Sequence, residues 1–544
     1  STLRNNCCSM ESLMRSIAQR LSILGMVSLA LSPSIHSAPA QGSGPTVRWE
    51  VDDGADGWIG TGIALGDHGS ALIAAKVRLE TELGFYSTAS PHPISTYYIS
   101  DAPYCAVAAA SRGQALAALT TQDQSTGAKL DILPTLRVWS SARPGPPDWQ
   151  YDFPLTEFHS PDGIGVHFRS DGDRVIAWVT DRSADLVAVR VFDGSGALLG
   201  QLDLPGLGGS NAYGSQGTIT PDASHLLIDI SGTPHLIDLS SGHVVQTWNS
   251  RSKRGGLAIS ANGEAVAIGD MNLVEVYRKS LAGSFTLDRS YSLQGSRFGG
   301  PLALDADATH LAYSVNWTTR TDKLQIRLQD LVTDTELWRQ EVGVSGNNLP
   351  LWVRSVEIAE NADTVAVASL GDDRSASPTG MVFDQQGNIL STFHTEGSVL
   401  AMDYDPIAQV VAFATKDTHQ SRFGAGGDII CADAMPASLR LAGLPRSGSV
   451  LDLTLKGSET YAQFAAALHL GNWATPFGTS QLDPSALLGT SRRVPLVGGM
   501  AAQQLTIPAA PALIGSALHF QAALFSPSLG SGLLSQRISV RVLP

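Results

Sequence analysis

Hydrophobic and polar positions along most of this chain group into short bursts bounded by turns, and one gapless pattern recurs eight times. A turn residue stands at Gly69, Gly113, Gly172, Ala223, Gly263, Ala308, Ala362 and Ala408. Four residues ahead of it are Leu65, Ala109, Phe168, Ile219, Ile259, Leu304, Ile358 and Tyr404, and three beyond it are Leu72, Leu116, Val175, Leu226, Val266, Leu311, Val365 and Val411. Repeats of roughly 40 to 60 residues built from short strands predict a β-propeller.

The unit around Ala223 shows the grammar of one four-stranded blade. Gly217 to Thr220 leads into the turn Pro221-Asp222-Ala223-Ser224, then come the apolar run Leu226-Leu227-Ile228, the strand Leu236 to Leu239, the turn Ser240-Ser241-Gly242, and Val244 to Trp248. The outer hairpin recurs at Val191-Phe192-Asp193 with Gly194-Ser195-Gly196, and at Val382-Phe383-Asp384 with Gln385-Gln386-Gly387. Asp bonds its own downstream backbone and Gly accepts positive φ, so these turns have a physical reason. A large β-sandwich with coincidental turns is the alternative.

Ring closure sets the count. The last unit supplies Val410 to Thr415 and Asp428 to Ala432, then runs into Pro436 without a fourth strand. Thr46 to Val51, ahead of the first unit, is free to complete it and so remove an exposed edge. Eight blades is the expectation, or seven if the irregular unit around Gly113, broken by the proline-rich Arg143 to Asp148, is an insertion. This phase puts Cys105 on the inner strand of the second blade and Cys431 on the third strand of the eighth. With a blade between them, they are expected as two separate, mostly buried thiols, since a disulfide needs Cα atoms within about 7 Å.

The propeller is expected over 46–436. From 438 to 544 the blade motif stops and the alternation at Val450 to Leu455, Tyr461 to Leu470, Leu518 to Leu524 and Ile538 to Val542 predicts a small antiparallel sandwich. A helix over Tyr461 to Leu470 competes. Composition agrees with a turn-rich β protein: 43% hydrophobic, 16% charged and 54 glycines in 544 residues. A net charge of -14 argues against a nucleic-acid partner, because phosphate binding needs basic surface. Residues 1–40 read as an export signal. Arg15 and Arg20 precede the apolar run Leu21 to Leu31, too short to span a bilayer, and Ala38-Pro39-Ala40 offers a cleavage pattern. A secreted or cell-envelope location follows, with no transmembrane anchor in the mature chain; a retained amphipathic anchor is the alternative.

With turns such as Ala261-Asn262-Gly263-Glu264 and Asp171-Gly172-Asp173, residues 46 to 436 resemble the WD40/YVTN-like and quinoprotein-like β-propellers of bacterial secreted proteins. The tail, with Leu482-Asp483-Pro484, Ile507-Pro508, Leu513-Ile514-Gly515 and Phe520-Gln521-Ala522, is similar to carboxy-terminal β modules of exported bacterial proteins. That resemblance implies an extracellular or envelope location.

Candidate chemistry is sparse. No G-x-S-x-G elbow, H-E-x-x-H zinc site or G-x-x-x-x-G-K-[ST] phosphate loop occurs. Asp52-Asp53-Gly54-Ala55-Asp56-Gly57 spaces oxygens as a calcium loop would, but the ligand set is incomplete and reads better as an acidic turn. His68, His167, His225, His243 and His310 stand near repeat turns without ligand spacing and read as surface or turn residues. Trp248 and Trp338 end equivalent outer strands, which predicts packing between blades rather than glycan stacking. No catalytic, cofactor-binding or metal residue is assigned and no cofactor is implied. The function expected is a non-catalytic exported binding or scaffold protein that grips a protein or glycan with propeller loops. Trp58, Tyr213, Arg254 and Trp352 are candidate contacts in the loops feeding inner strands. The alternative is a propeller enzyme (lactonase, lyase or quinoprotein-like oxidoreductase) with its site at the central channel.

Overall fold

A computed structural model describes residues 47–542 except 53–57, 79, 103, 124–131, 155–163, 182–185, 206–216, 231, 249–255, 294–296, 318–323, 343–351, 372–376, 407, 419–425, 436–437, 443–445, 457–460, 476–477, 492, 498–499, 515, 527–530 and 536–537. The export signal, Tyr213, Arg254 and all but the first residue of the Asp52 to Gly57 loop lie outside the described residues.

Eight four-stranded antiparallel sheets follow one another between Val47 and Asp433 as the blades of a β-propeller. Seven run consecutively from inside to outside. The fourth, for example, pairs Gly217–Ile219, His225–Ile230, Thr233–Asp238 and His243–Thr247 in that order. The eighth takes Ser398–Asp405, Val410–Lys416 and Asp428–Asp433 from the end of the repeats, and its outermost strand is Val47–Asp52. Trp49 faces Cys431 and Val51 faces Ile429 in that closing pair. The second blade is complete, with Tyr104–Ala109, Leu116–Asp123, Ile132–Trp139 and Trp149–Asp152, so eight blades stand and the seven-bladed alternative falls.

The motif's turn residue earns its place through φ. Gly69, Gly172, Ala223, Gly263, Ala308 and Ala362 all have φ between 54° and 84°, the left-handed region where a large side chain is strained. In the eighth blade that conformation shifts one residue on, to Gln409 at φ 55°. The turns close with an i to i+3 bond, as from Ala223 N to Thr220 O at 2.8 Å.

Aromatic side chains wedge the blades apart at their outer halves. Trp49 of the eighth blade stacks on Tyr86 of the first, and Tyr97 of the first meets Trp139 of the second. Around the ring follow Trp149 with Phe192, Trp248 with Tyr277, Tyr291 with Tyr313, Trp338 with Phe383, and Phe393 with Phe413. Between the third and fourth blades Leu202 and Leu204 fill the same wedge. Cys105 and Cys431 are both free thiols.

Beyond the propeller, Ser438–Ala442, Val450–Lys456 and Met500–Thr506 form one sheet, and Tyr461–Ala467 and Ala517–Ser526 centre a second. Leu451, Leu453 and Leu455 of the first share a core with Phe464, Phe520 and Leu524 of the second, which makes a β-sandwich. Tyr461–Ala467 is therefore a strand; alternate positions Ala462, Phe464 and Ala466 are buried.

Candidate functional site

The innermost strands set a register around the central channel. One residue ahead of the motif's first apolar position stand, blade by blade, Ala64, Ala108, His167, Thr218, Ala258, Ala303, Glu357 and Asp403. An innermost strand has an unpaired edge, and its backbone groups need partners. At three positions a polar side chain supplies one to the next blade. Tyr404 N donates to Glu357 Oε2 at 3.0 Å, and Leu65 N donates to Asp403 Oδ2 at 2.6 Å. His167 Nε2 lies 3.3 Å from Gly217 O.

Glu357 and Asp403 form a coupled carboxyl pair. They share the Tyr404 N–H, which also reaches Asp403 Oδ1 at 3.0 Å, and are hydrogen-bonded to each other. Both are enclosed by the ring while keeping a half-buried surface toward the channel. Burial first, and then the neighbouring Asp403 carboxylate, hold Glu357 well above the usual carboxylate range; burial raises Asp403 as well, against the backbone N–H groups that favour its charge. The pair titrates as a unit, and each carboxyl makes ionisation of the other harder.

Where the inner strands end, the repeat turns surround a cavity of about 470 Å³. Glu357, Asp403, His68, Arg112, Ser170 and Glu360 are among the residues that line it. The turns are tied into a collar. Asp67 N donates to Ala110 O at 3.0 Å, Arg112 N to Ser170 O at 2.7 Å, Ser170 N to Pro221 O at 2.9 Å, and Ala306 N to Glu360 O at 3.0 Å. Arg112 of the second blade reaches Glu360 of the seventh at 2.9 Å, past the first and eighth blades, so an exposed ion pair crosses the mouth. A second cavity of about 380 Å³ lies further along the channel and shares Val107 and His167 with the first.

His167 corrects the reading of the histidines as surface or turn residues. It lies on the innermost strand Ile164–Phe168, stacked on Trp178 at 5.4 Å, and burial lowers its pKa. Gly165 and Gly217 make room for that indole, since a Cβ on either would sit 1.9 or 2.5 Å from it. Trp58 and Trp352 stand half-buried just ahead of the innermost strands of the first and seventh blades, at the other end of those strands from the collar. Neither lines the two cavities. Among the described residues, no group of three or more His, Cys, Asp and Glu side chains is placed to hold a metal ion. The carboxyl pair was missed in sequence, although its register position one ahead of Ile358 and Tyr404 was available as a signal.

No protein-family model and no curated protein sequence matches the chain. Among solved structures, the C-terminal WD40 domain of Sif2 is similar at TM-score 0.48 and 11% identity, over 71% of this chain and 97% of that one. Chaetomium thermophilum Sqt1, solved bound to the N-terminus of ribosomal protein L10, is similar at TM-score 0.46 and 12% identity, over 72% of this chain and 100% of that one. Chaetomium thermophilum Raptor is similar at TM-score 0.42 and 10% identity, over 72% of this chain and 29% of that one. Likenesses this distant assign neither a family nor an activity, and the eight-bladed ring rests on the strand pairing itself.

Proposed function

We propose that this chain is an exported, non-catalytic binding protein that docks a protein or glycan partner on the turn-lined mouth of its propeller. The observation that carries this reading is the collar. Backbone bonds link the turns of neighbouring blades and the Arg112–Glu360 pair spans the opening, so the surface is rigid before any partner arrives. A preorganised surface loses little conformational entropy on binding. Its charges are already matched, which suits recognition of a mixed polar and apolar surface.

Affinity capture from the native source with the full chain as bait tests it. The triple variant His68→Ala, Arg112→Ala, Glu360→Ala is expected to lose the partner that wild type retains, while Trp58→Ala, Trp352→Ala keeps it. The reverse pattern would support a second reading, in which docking uses the opposite mouth, where Trp58 and Trp352 stand. Export is part of the proposal, and amino-terminal sequencing of the secreted chain should then begin at Gln41.

The enzyme alternative draws on one observation, the buried Glu357–Asp403 carboxyl pair, since such pairs serve as acid and base in catalysis. Both carboxyls are already engaged by backbone N–H groups of the next blade, which favours a structural role.

A further inference from the structure

The second channel cavity, of about 380 Å³, falls within the size range of small-ligand sites. Its lining mixes polar and apolar surface: Val107, Ile164 and Leu257 are half-buried, Val166, Trp178, Leu302 and Val356 are buried in the blade cores behind it, and one cation, Arg354, stands among them. Arg354 is enclosed by the ring yet exposed to the lumen, and among the described residues no hydrogen bond or ion pair engages its guanidinium. Several other propeller arginines are matched by acids, as Arg48 is by Asp433, Arg190 by Asp203 and Arg278 by Asp288. In a chain with 50 acidic and 36 basic residues, an arginine inside a channel with no counter-ion among the described residues offers a place to an anion.

The acid three residues on does not fill it. Glu357 is turned to the eighth blade, where Tyr404 N and Asp403 hold it. Burial alone acts on Arg354, pulling its pKa down with no carboxylate to oppose the shift.

We propose that this cavity binds a small monocarboxylic acid, with the carboxylate on the Arg354 guanidinium and its body against the half-buried Val107, Ile164 and Leu257. The planar guanidinium fork matches a carboxylate with two parallel hydrogen bonds. One cation neutralises one negative charge; a phosphate dianion would keep a second, unmatched charge near the Glu357–Asp403 pair. The walls set the rest of the ligand, an aliphatic or aromatic body of metabolite size.

The test titrates benzoate and hexanoate into the purified full chain, followed by calorimetry and by tryptophan fluorescence. Inorganic phosphate and benzyl alcohol are run alongside. Both carboxylates are expected to saturate with dissociation constants of about 1 mM or tighter, and Arg354→Gln to weaken them by about tenfold or more. Arg354→Lys, which keeps the charge without the fork, should lie between the two. The proposal is overturned if wild type shows no saturable binding up to about 10 mM. It is equally overturned if phosphate or benzyl alcohol binds as well as the carboxylates, or if either folded variant binds them as wild type does.

Discussion

Glu357 and Asp403 are single residues whose protonation is tied to how neighbouring blades meet. A carboxyl held above its ordinary range binds its proton more tightly in the folded chain than in the unfolded one. Its stabilising effect is then complete below the unfolded value near 4.3 and is lost as pH rises through the folded value. Asp403 is pushed up to about 6 and Glu357 is raised well above its ordinary value, so the loss begins at about pH 4 and runs upward through the folded values. Glu357→Gln mimics the protonated acid. At pH 8 it should be more stable than wild type by on the order of 1 kcal/mol, the worth of one pKa unit, with the gap closing toward pH 4 in urea unfolding. A gap that stays constant with pH would show that Glu357 does not take up a stabilising proton on acidification. Comparing variant with wild type matters, because His167, His225 and His235 are lowered by burial and pull stability the opposite way on acidification.

The blade is the element whose design was most legible. Turn positions that demand left-handed backbone leave Gly or Ala at fixed spacing from apolar residues, and that local pattern places the inner hairpins directly. Closure by Val47–Asp52 was also legible, because a blade with three strands and a spare strand upstream admit one economical pairing. The site was not. Glu357 meets Tyr404 across 47 residues and Asp403 meets Leu65 across 338, so their partners are backbone groups that no local pattern marks. His167 was read as a turn residue for the same reason, its stacking partner lying on the adjoining strand. Closure itself is testable. Trp49 is 5% exposed, stacks on Tyr86 at 5.2 Å and donates from Nε1 to Thr88 O at 3.1 Å. Trp49→Ala should cost about 3–5 kcal/mol in urea unfolding, whereas fully exposed Leu281→Ala should cost under about 0.5 kcal/mol. Equal effects would mean that the first strand does not hold the ring shut.

Across the described residues, the chain forms a ring of blades followed by a sandwich, and the proposed docking site lies at the channel of the ring. One end of that channel is a collar of turns braced by Arg112 and Glu360. Further in, Arg354 faces a second chamber of mixed polar and apolar lining. A net charge of -14 spread over the molecule favours partners that are neutral or cationic at the collar, while the chamber selects its own small anion locally. The most direct test is hydrogen–deuterium exchange of the full chain alone and with the captured partner. Docking at the collar predicts slowed exchange in 65–72, 108–113, 168–172, 357–362 and 403–409. Protection confined to the segments around Trp58 and Trp352, or to the outer strands, would contradict it.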